Sequence, residues 1–172
     1  MADLRLFVPL FLWTILLGRC LSGCPDGSVV HSTSCYLFFN MRTSWSEAEF
    51  YCRLLNTNLL SIETVEEQTF IGNHLTREGS ATFSADGLFW TGGTTLMTGG
   101  RWMWEAASYP LGYTAWSPGE PDTHSDQKRC LAMVFSKGFQ WISSVCDHKH
   151  HFVCEASAFA NIGGQSGGIV IG

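Results

Sequence analysis

The sequence predicts an α+β domain, and three observations carry that prediction. Two capping boxes, Ser44-Trp45-Ser46-Glu47 and Thr64-Val65-Glu66-Glu67, open helices early in the chain. After Gly79 helix formers thin out, and strand-sized apolar bursts alternate with turn residues. A long polar stretch, about Glu105 to Arg129, separates those bursts, and a segment of that kind in a compact domain is usually functional. Helices followed by strands around one long loop indicate α+β rather than repeated βαβ units.

The first segment reads as an address. Leu6 to Leu17 is an apolar run broken only by Pro9 and Thr14, followed by small residues at Gly18, Cys20, Ser22 and Gly23. Residues 1–23 are therefore expected to be a secretory signal peptide, cleaved between about 18 and 23. The run is too short to span a bilayer, which takes about 20 residues as a helix, so no membrane insertion of the mature chain is expected.

The mature domain, 24–155, starts with a hairpin signal. Val29–Val30 follows the turn residues Pro25, Asp26 and Gly27, and Tyr36 to Phe39 is the second run. The first helix places Trp45, Ala48, Cys52 and Leu55 on one face. The second carries Val65, Phe70 and Leu75 and is expected to end near Arg77–Gly79. Strands are expected around Leu88–Trp90, Trp102–Trp104, Leu131–Phe135, Phe139–Ile142 and Phe152–Cys154. Residues 156–172 read as a flexible Gly/Ser-rich tail.

Composition narrows the function. Among 172 residues, 10 Lys+Arg stand against 15 Asp+Glu, a net charge of −5. A basic face for nucleic acid or anionic lipid is not expected. Seven cysteines become six once Cys20 leaves with the leader. An even count in an exported chain reads as disulfides, and six cysteines allow 15 pairings. No Cys-x-x-Cys spacing suggests zinc.

Several motifs, taken together, resemble one known family. Cys52 lies in the first helix, Phe89-Trp90-Thr91-Gly92-Gly93 resembles a Trp-Ile-Gly-Leu strand, and Glu120-Pro121-Asp122 begins ten residues before Cys130. Trp141 lies five residues before Cys146, and Phe152-Val153-Cys154-Glu155 resembles a closing strand. From Cys24 to Glu155 the chain resembles a C-type lectin-like domain. The resemblance implies two helices packed on small antiparallel sheets beside a long non-regular loop. It also implies three disulfides, Cys24–Cys35, Cys52–Cys154 and Cys130–Cys146, which leave no cysteine for a covalent dimer.

Sugar-binding members of that family hold Ca²⁺ in the long loop. The ligands come from a Glu-Pro-Asn triplet, a Glu two before the next Cys, and a Trp-Asn-Asp triplet. Ca²⁺ takes six to eight oxygens, so several such groups must converge. This chain keeps Glu120 and Pro121, has Asp122 for Asn, Lys128 for the second Glu, and Trp141-Ile142-Ser143 for the last triplet. Thr95, Gly99 and Thr123 stand where acids of an auxiliary calcium site are expected. Glu120 and Asp122 remain as metal ligands, with Asp126 as a substitute, and Lys128 is placed to pair with Glu120 or Asp122 instead. The expectation is a degenerate calcium site with no required cofactor.

Other constellations weigh less. Tyr109, Tyr113, Trp116 and His124 lie in the loop beside the acids, where aromatic faces stack on sugars. Trp116 is nonetheless expected in the core, with Trp90 and Trp141. His148 and His150 alternate like metal ligands, with Asp147 or His124 as a third, but a solvated strand edge is the expected reading. No nucleophile elbow, metalloprotease motif or phosphate loop occurs, so no enzyme is expected.

The expected function is therefore a secreted carbohydrate-recognition protein with ligand contacts at Glu120, Pro121, Asp122, Asp126 and Lys128. Innate defence or agglutination would be its setting, with a glycan or an extracellular protein as partner. The alternative is a calcium-independent module of extracellular matrix or biomineral.

Overall fold

A computed structural model describes residues 23–83, 87–124 and 127–158, without the side chains of 79–82 and 128. The leader up to residue 22, with Cys20, and the tail from 159 lie outside the described residues.

The first hairpin joins β1 (Val29–His31) to β2 (Ser34–Thr43), with Val29 opposite Tyr36. The turn is closed by Ser32 at φ 53°. Helix α1 (Trp45–Leu54) follows at once. Ser44 caps it, and both arms of the capping box form: Ser44 Oγ accepts from the Glu47 N–H, and Glu47 Oε2 accepts from the Ser44 N–H. Trp45, Ala48 and Cys52 face the core as expected, but Leu55 does not. It is the C-cap residue and 43% exposed, because the helix ends one residue earlier and Asn56 turns the chain at φ 54°.

A short β3 (Asn58–Leu59), not foreseen, leads to α2 (Val65–Thr82), which runs past the expected end at Gly79. The Thr64 hydroxyl accepts from the Glu67 N–H, but the Glu67 carboxylate accepts from the Glu63 N–H rather than reaching back to Thr64. The buried face of α2 carries Ile71 and Leu75, while Val65 is exposed.

The remaining strands are β4 (Leu88–Thr94), β5 (Met103–Trp104), β6 (Tyr109–Pro110), β7 (Lys128–Val134), β8 (Gln140–Val145) and β9 (His150–Ser157). β9 therefore extends past Glu155 into the first residues assigned to the tail. β9 pairs antiparallel with β2 and β3, and parallel with β4. That parallel pair joins the expected small antiparallel sheets into one nine-stranded network. β4 pairs with β5 and β7, β7 with β8, and β5 with β6.

Packing at the centre is tight. A Cβ on Gly93 would lie 2.7 Å from Leu131 Cδ1, so only glycine lets β4 approach β7 there. Trp90, Trp104 and Trp141 are fully buried. The Trp90 indole N–H donates to the Thr43 carbonyl, and that of Trp141 to the Gln68 amide oxygen. The three disulfides are Cys24–Cys35, Cys52–Cys154 and Cys130–Cys146. Cys52–Cys154 ties α1 to β9 across 102 residues of sequence. Closing a loop of that length stabilises by about 4–5 kcal/mol in the chain-entropy model.

Candidate functional site

The long loop is irregular apart from β6 and a bridge between Trp116 and Trp141. Its base is fixed by the β7–β8 pair, which sets Ser143 opposite Leu131, and by Cys130–Cys146. The Ser117 N–H donates to the Trp141 carbonyl, and the Glu120 N–H donates to the Ser117 carbonyl. Gly119, at φ 85°, makes the turn between them, and the Glu120–Pro121 peptide is cis.

This turn points the Glu120 carboxylate at β8. One oxygen, Oε2, accepts from the Ser143 N–H at 2.9 Å, the Ser143 hydroxyl at 2.5 Å and the Asp122 N–H at 3.0 Å. The Asp122 N–H also approaches Ser143 Oγ at 2.8 Å. Ser143 is 3% exposed, so the knot is closed from within. Asp122 caps the next turn, its Oδ1 accepting from the His124 N–H at 2.9 Å. The His124 side chain is 97% exposed, and its Nδ1 lies 3.6 Å from Asp122 Oδ1.

Glu120, Pro121 and Asp122 form the turn that meets β8 at Ser143. Lys128 opens β7 opposite Val145. Its side chain, and Asp126, lie outside the described part of the molecule. Ser143 is the residue that sequence reasoning undervalued: it was counted as a lost ligand, whereas its hydroxyl and N–H hold the loop. Among the described residues no group of three or more His, Cys, Asp or Glu is arranged to hold a metal.

The loop aromatics serve the core more than the surface. Trp116 is partly buried and meets Trp102 at 5.0 Å and Trp141 at 5.7 Å, edge to face. Tyr113 packs on Trp141 as well, and the Tyr109 hydroxyl donates to Glu63. Burial raises the Tyr113 phenol above its ordinary value. His150 is not a solvated edge: it packs on Trp90 at 4.4 Å and shares a hydrogen bond with Ser144. Burial pushes its imidazole down to about 4.

A second polar cluster was not foreseen. Glu155 accepts from the Ser34 hydroxyl and the Ser61 N–H, and the Tyr36 hydroxyl donates to Glu67. Two cavities of about 260 and 220 Å³ share Thr33, Ser34, Glu63 and Glu155 as lining. Burial first, then the charge of Glu67, pushes the Glu155 carboxyl up to about 7. Burial first, then its hydrogen bond to Glu67, carries the Tyr36 phenol far above its usual range. The sequence holds one hint, acids at Glu63 and Glu67 around the second capping box, but Glu155 joins them only through β9.

The family profile described as "Lectin C-type domain" matches residues 41–156. Perlucin of Haliotis laevigata is 37% identical over 134 residues, covering 77% of this chain and 83% of perlucin. The structure of human lithostathine superposes with a TM-score of 0.69 at 28% identity, covering 78% of this chain and 99% of that one. A calcium-independent type II antifreeze protein superposes with a TM-score of 0.68 at 25% identity, covering 80% of this chain and 97% of that one. Proteins of this family are binding modules without enzymatic activity, and the three disulfides fit an extracellular setting. No helix among the described residues is long and apolar enough to cross a membrane. The chain belongs to the C-type lectin domain family.

Proposed function

We propose that this chain is a secreted glycan-recognition protein whose long loop works without calcium. The observation that carries the reading is the triple donation onto Glu120 Oε2. A hard dication needs six to eight oxygens with free lone pairs. Here the best-placed carboxylate oxygen already accepts three protein hydrogens, and Ser143 offers a hydroxyl where a carboxylate would be needed. The described donor set does not fit Ca²⁺. The closed knot instead presents Asp122 and the exposed His124 as hydrogen-bonding groups, with Pro121 shaping the turn. Short acids and amphipathic rings are the groups that recognise sugar hydroxyls. Agglutination or innate defence is the setting such binding fits.

The test is retention of the oxidised chain on immobilised mannose- and galactose-type sugars in EDTA. Retention that free sugar reverses and Asp122→Ala weakens supports the reading. Passage through every sugar column, with and without Ca²⁺, sinks it.

One observation favours a second reading. The fold resembles that of a protein described as a calcium-independent type II antifreeze protein, and this chain is acidic overall. An interaction module of extracellular matrix or biomineral would use the same closed loop on a protein or mineral surface. Adsorption to a mineral powder without sugar competition would point there.

A further inference from the structure

Helix α1 has a face that no described residue covers. Trp45, Ala48 and Cys52 occupy its core side. On the other side Phe50, Tyr51, Leu54 and Leu55 are 57, 39, 62 and 43% exposed. Phe50 with Leu54, and Tyr51 with Leu55, are i,i+4 pairs, so the four side chains form a double row rather than scattered points. Tyr51 carries that row onto the sheet: it stacks with Phe152 at 6.1 Å, and Phe152 stacks with Phe39 of β2 at 4.5 Å. Soluble monomers expose large apolar side chains singly, and contiguous patches mark interaction sites.

The charges beside this ridge are self-complementary. Glu49 and Arg53 lie one turn apart and are ion-paired with each other, and Arg53 also reaches Glu105 at 2.7 Å. A two-fold axis across the helix sets a second copy antiparallel. The acid of one copy then faces the base of the other, while Phe50 and Leu54 of one ridge pack beside Leu54 and Phe50 of its mate. An anionic lipid surface fits less well, because the acids Glu47, Glu49 and Glu105 already pair with Lys149 and Arg53, the cations beside the ridge, and the chain carries a net charge of −5.

We propose that the exposed face of α1 is a non-covalent homodimer interface, occupied by a second copy of this chain. Cys24, Cys35, Cys52, Cys130, Cys146 and Cys154 are all bridged within the chain, so the contact needs no interchain disulfide. The inference does not depend on what the loop binds.

Sedimentation velocity of the oxidised full chain tests it. The wild type is expected to shift to the mass of two chains as concentration rises into the micromolar range. Phe50→Ser/Leu54→Ser is expected to weaken association about tenfold or more, with unchanged near-ultraviolet circular dichroism. Glu49→Arg is expected to weaken it too, and Glu49→Arg/Arg53→Glu to restore it. A wild type that stays monomeric up to about 100 μM, weaker than any affinity of functional use here, overturns the proposal. So does a dimer that survives both apolar substitutions. A monomeric wild type that binds neutral phosphatidylcholine vesicles overturns it in favour of a membrane.

Discussion

Glu120 and Glu155 are both tied down by neutral donors, yet their knots differ in kind. Glu120 gathers three donors on one oxygen, supplied by a serine and a turn. Glu155 has one donor for each oxygen, and sits half-buried with Glu67 and Glu63 nearby. The comparison teaches that donor count and neighbouring charge, not burial alone, decide what a carboxylate does. The first knot closes a loop into one shape. The second leaves an acid poised to hold a proton.

The largest expected effect is the pH dependence of the second knot. The folded protein holds a proton on Glu155 up to about pH 7, whereas the unfolded carboxyl loses it near 4.5. Folding therefore binds a proton in that window. The contribution is full below pH 4.5 and is lost as pH rises through 7. A shift of this size corresponds to about 3 kcal/mol at most. Glu155→Gln is expected to remove that decline, read as melting temperature against pH. His150 slopes the other way, because burial keeps it neutral in the folded state down to about pH 4. Its contribution is present above its ordinary value of 6.5 and is lost as pH falls through 4. In the wild type the two slopes oppose each other, so Glu155→Gln is also expected to uncover an acid-side loss that His150→Asn removes.

Ser143→Ala probes the first knot and ranks second. It deletes the hydroxyl donor to Glu120 and the acceptor facing the Asp122 N–H. Glu120 keeps its two backbone donors, so the loss is that of one hydrogen bond to a charged group, about 1.5–3 kcal/mol, measurable by urea unfolding. If the loop is built by this knot, hydrogen exchange at Asp122 and His124 is expected to speed up as well.

Tyr36→Phe gives the smallest change. It removes the donor to Glu67 at 2.7 Å, a part-buried hydrogen bond to a charged group and so at the low end of that class, about 1.5 kcal/mol. With Glu67 left less satisfied, the decline in stability with rising pH is expected to steepen.

How far these features were legible depends on how local they are. The Ser44 capping box spans four residues, and α1 begins where it says. The cysteine count pointed to disulfides, but it took the family resemblance to choose among pairings. Leu55 was assigned to the core because periodicity has no knowledge of where a helix stops. The parallel β4–β9 contact, which merges the sheets, joins strands about 60 residues apart and leaves no local trace. Glu120, Pro121 and Asp122 were legible as a motif. The partnership of Glu120 with Ser143 was not, because it depends on the register of β8 and the path of the turn. The acidic cluster was hidden for the same reason: Tyr36, Glu67 and Glu155 come from β2, α2 and β9.

Calorimetric titration of the oxidised chain with CaCl₂, with melting in Ca²⁺ and in EDTA, tests the central claim most directly. A ligand that binds only the folded state raises its stability. The account predicts no saturable heat and the same melting temperature in both buffers, since Ser143 and Asp122 already occupy Oε2 of Glu120. A saturable heat with a higher melting temperature in Ca²⁺ would contradict it, and would return the long loop to calcium-bridged sugar recognition.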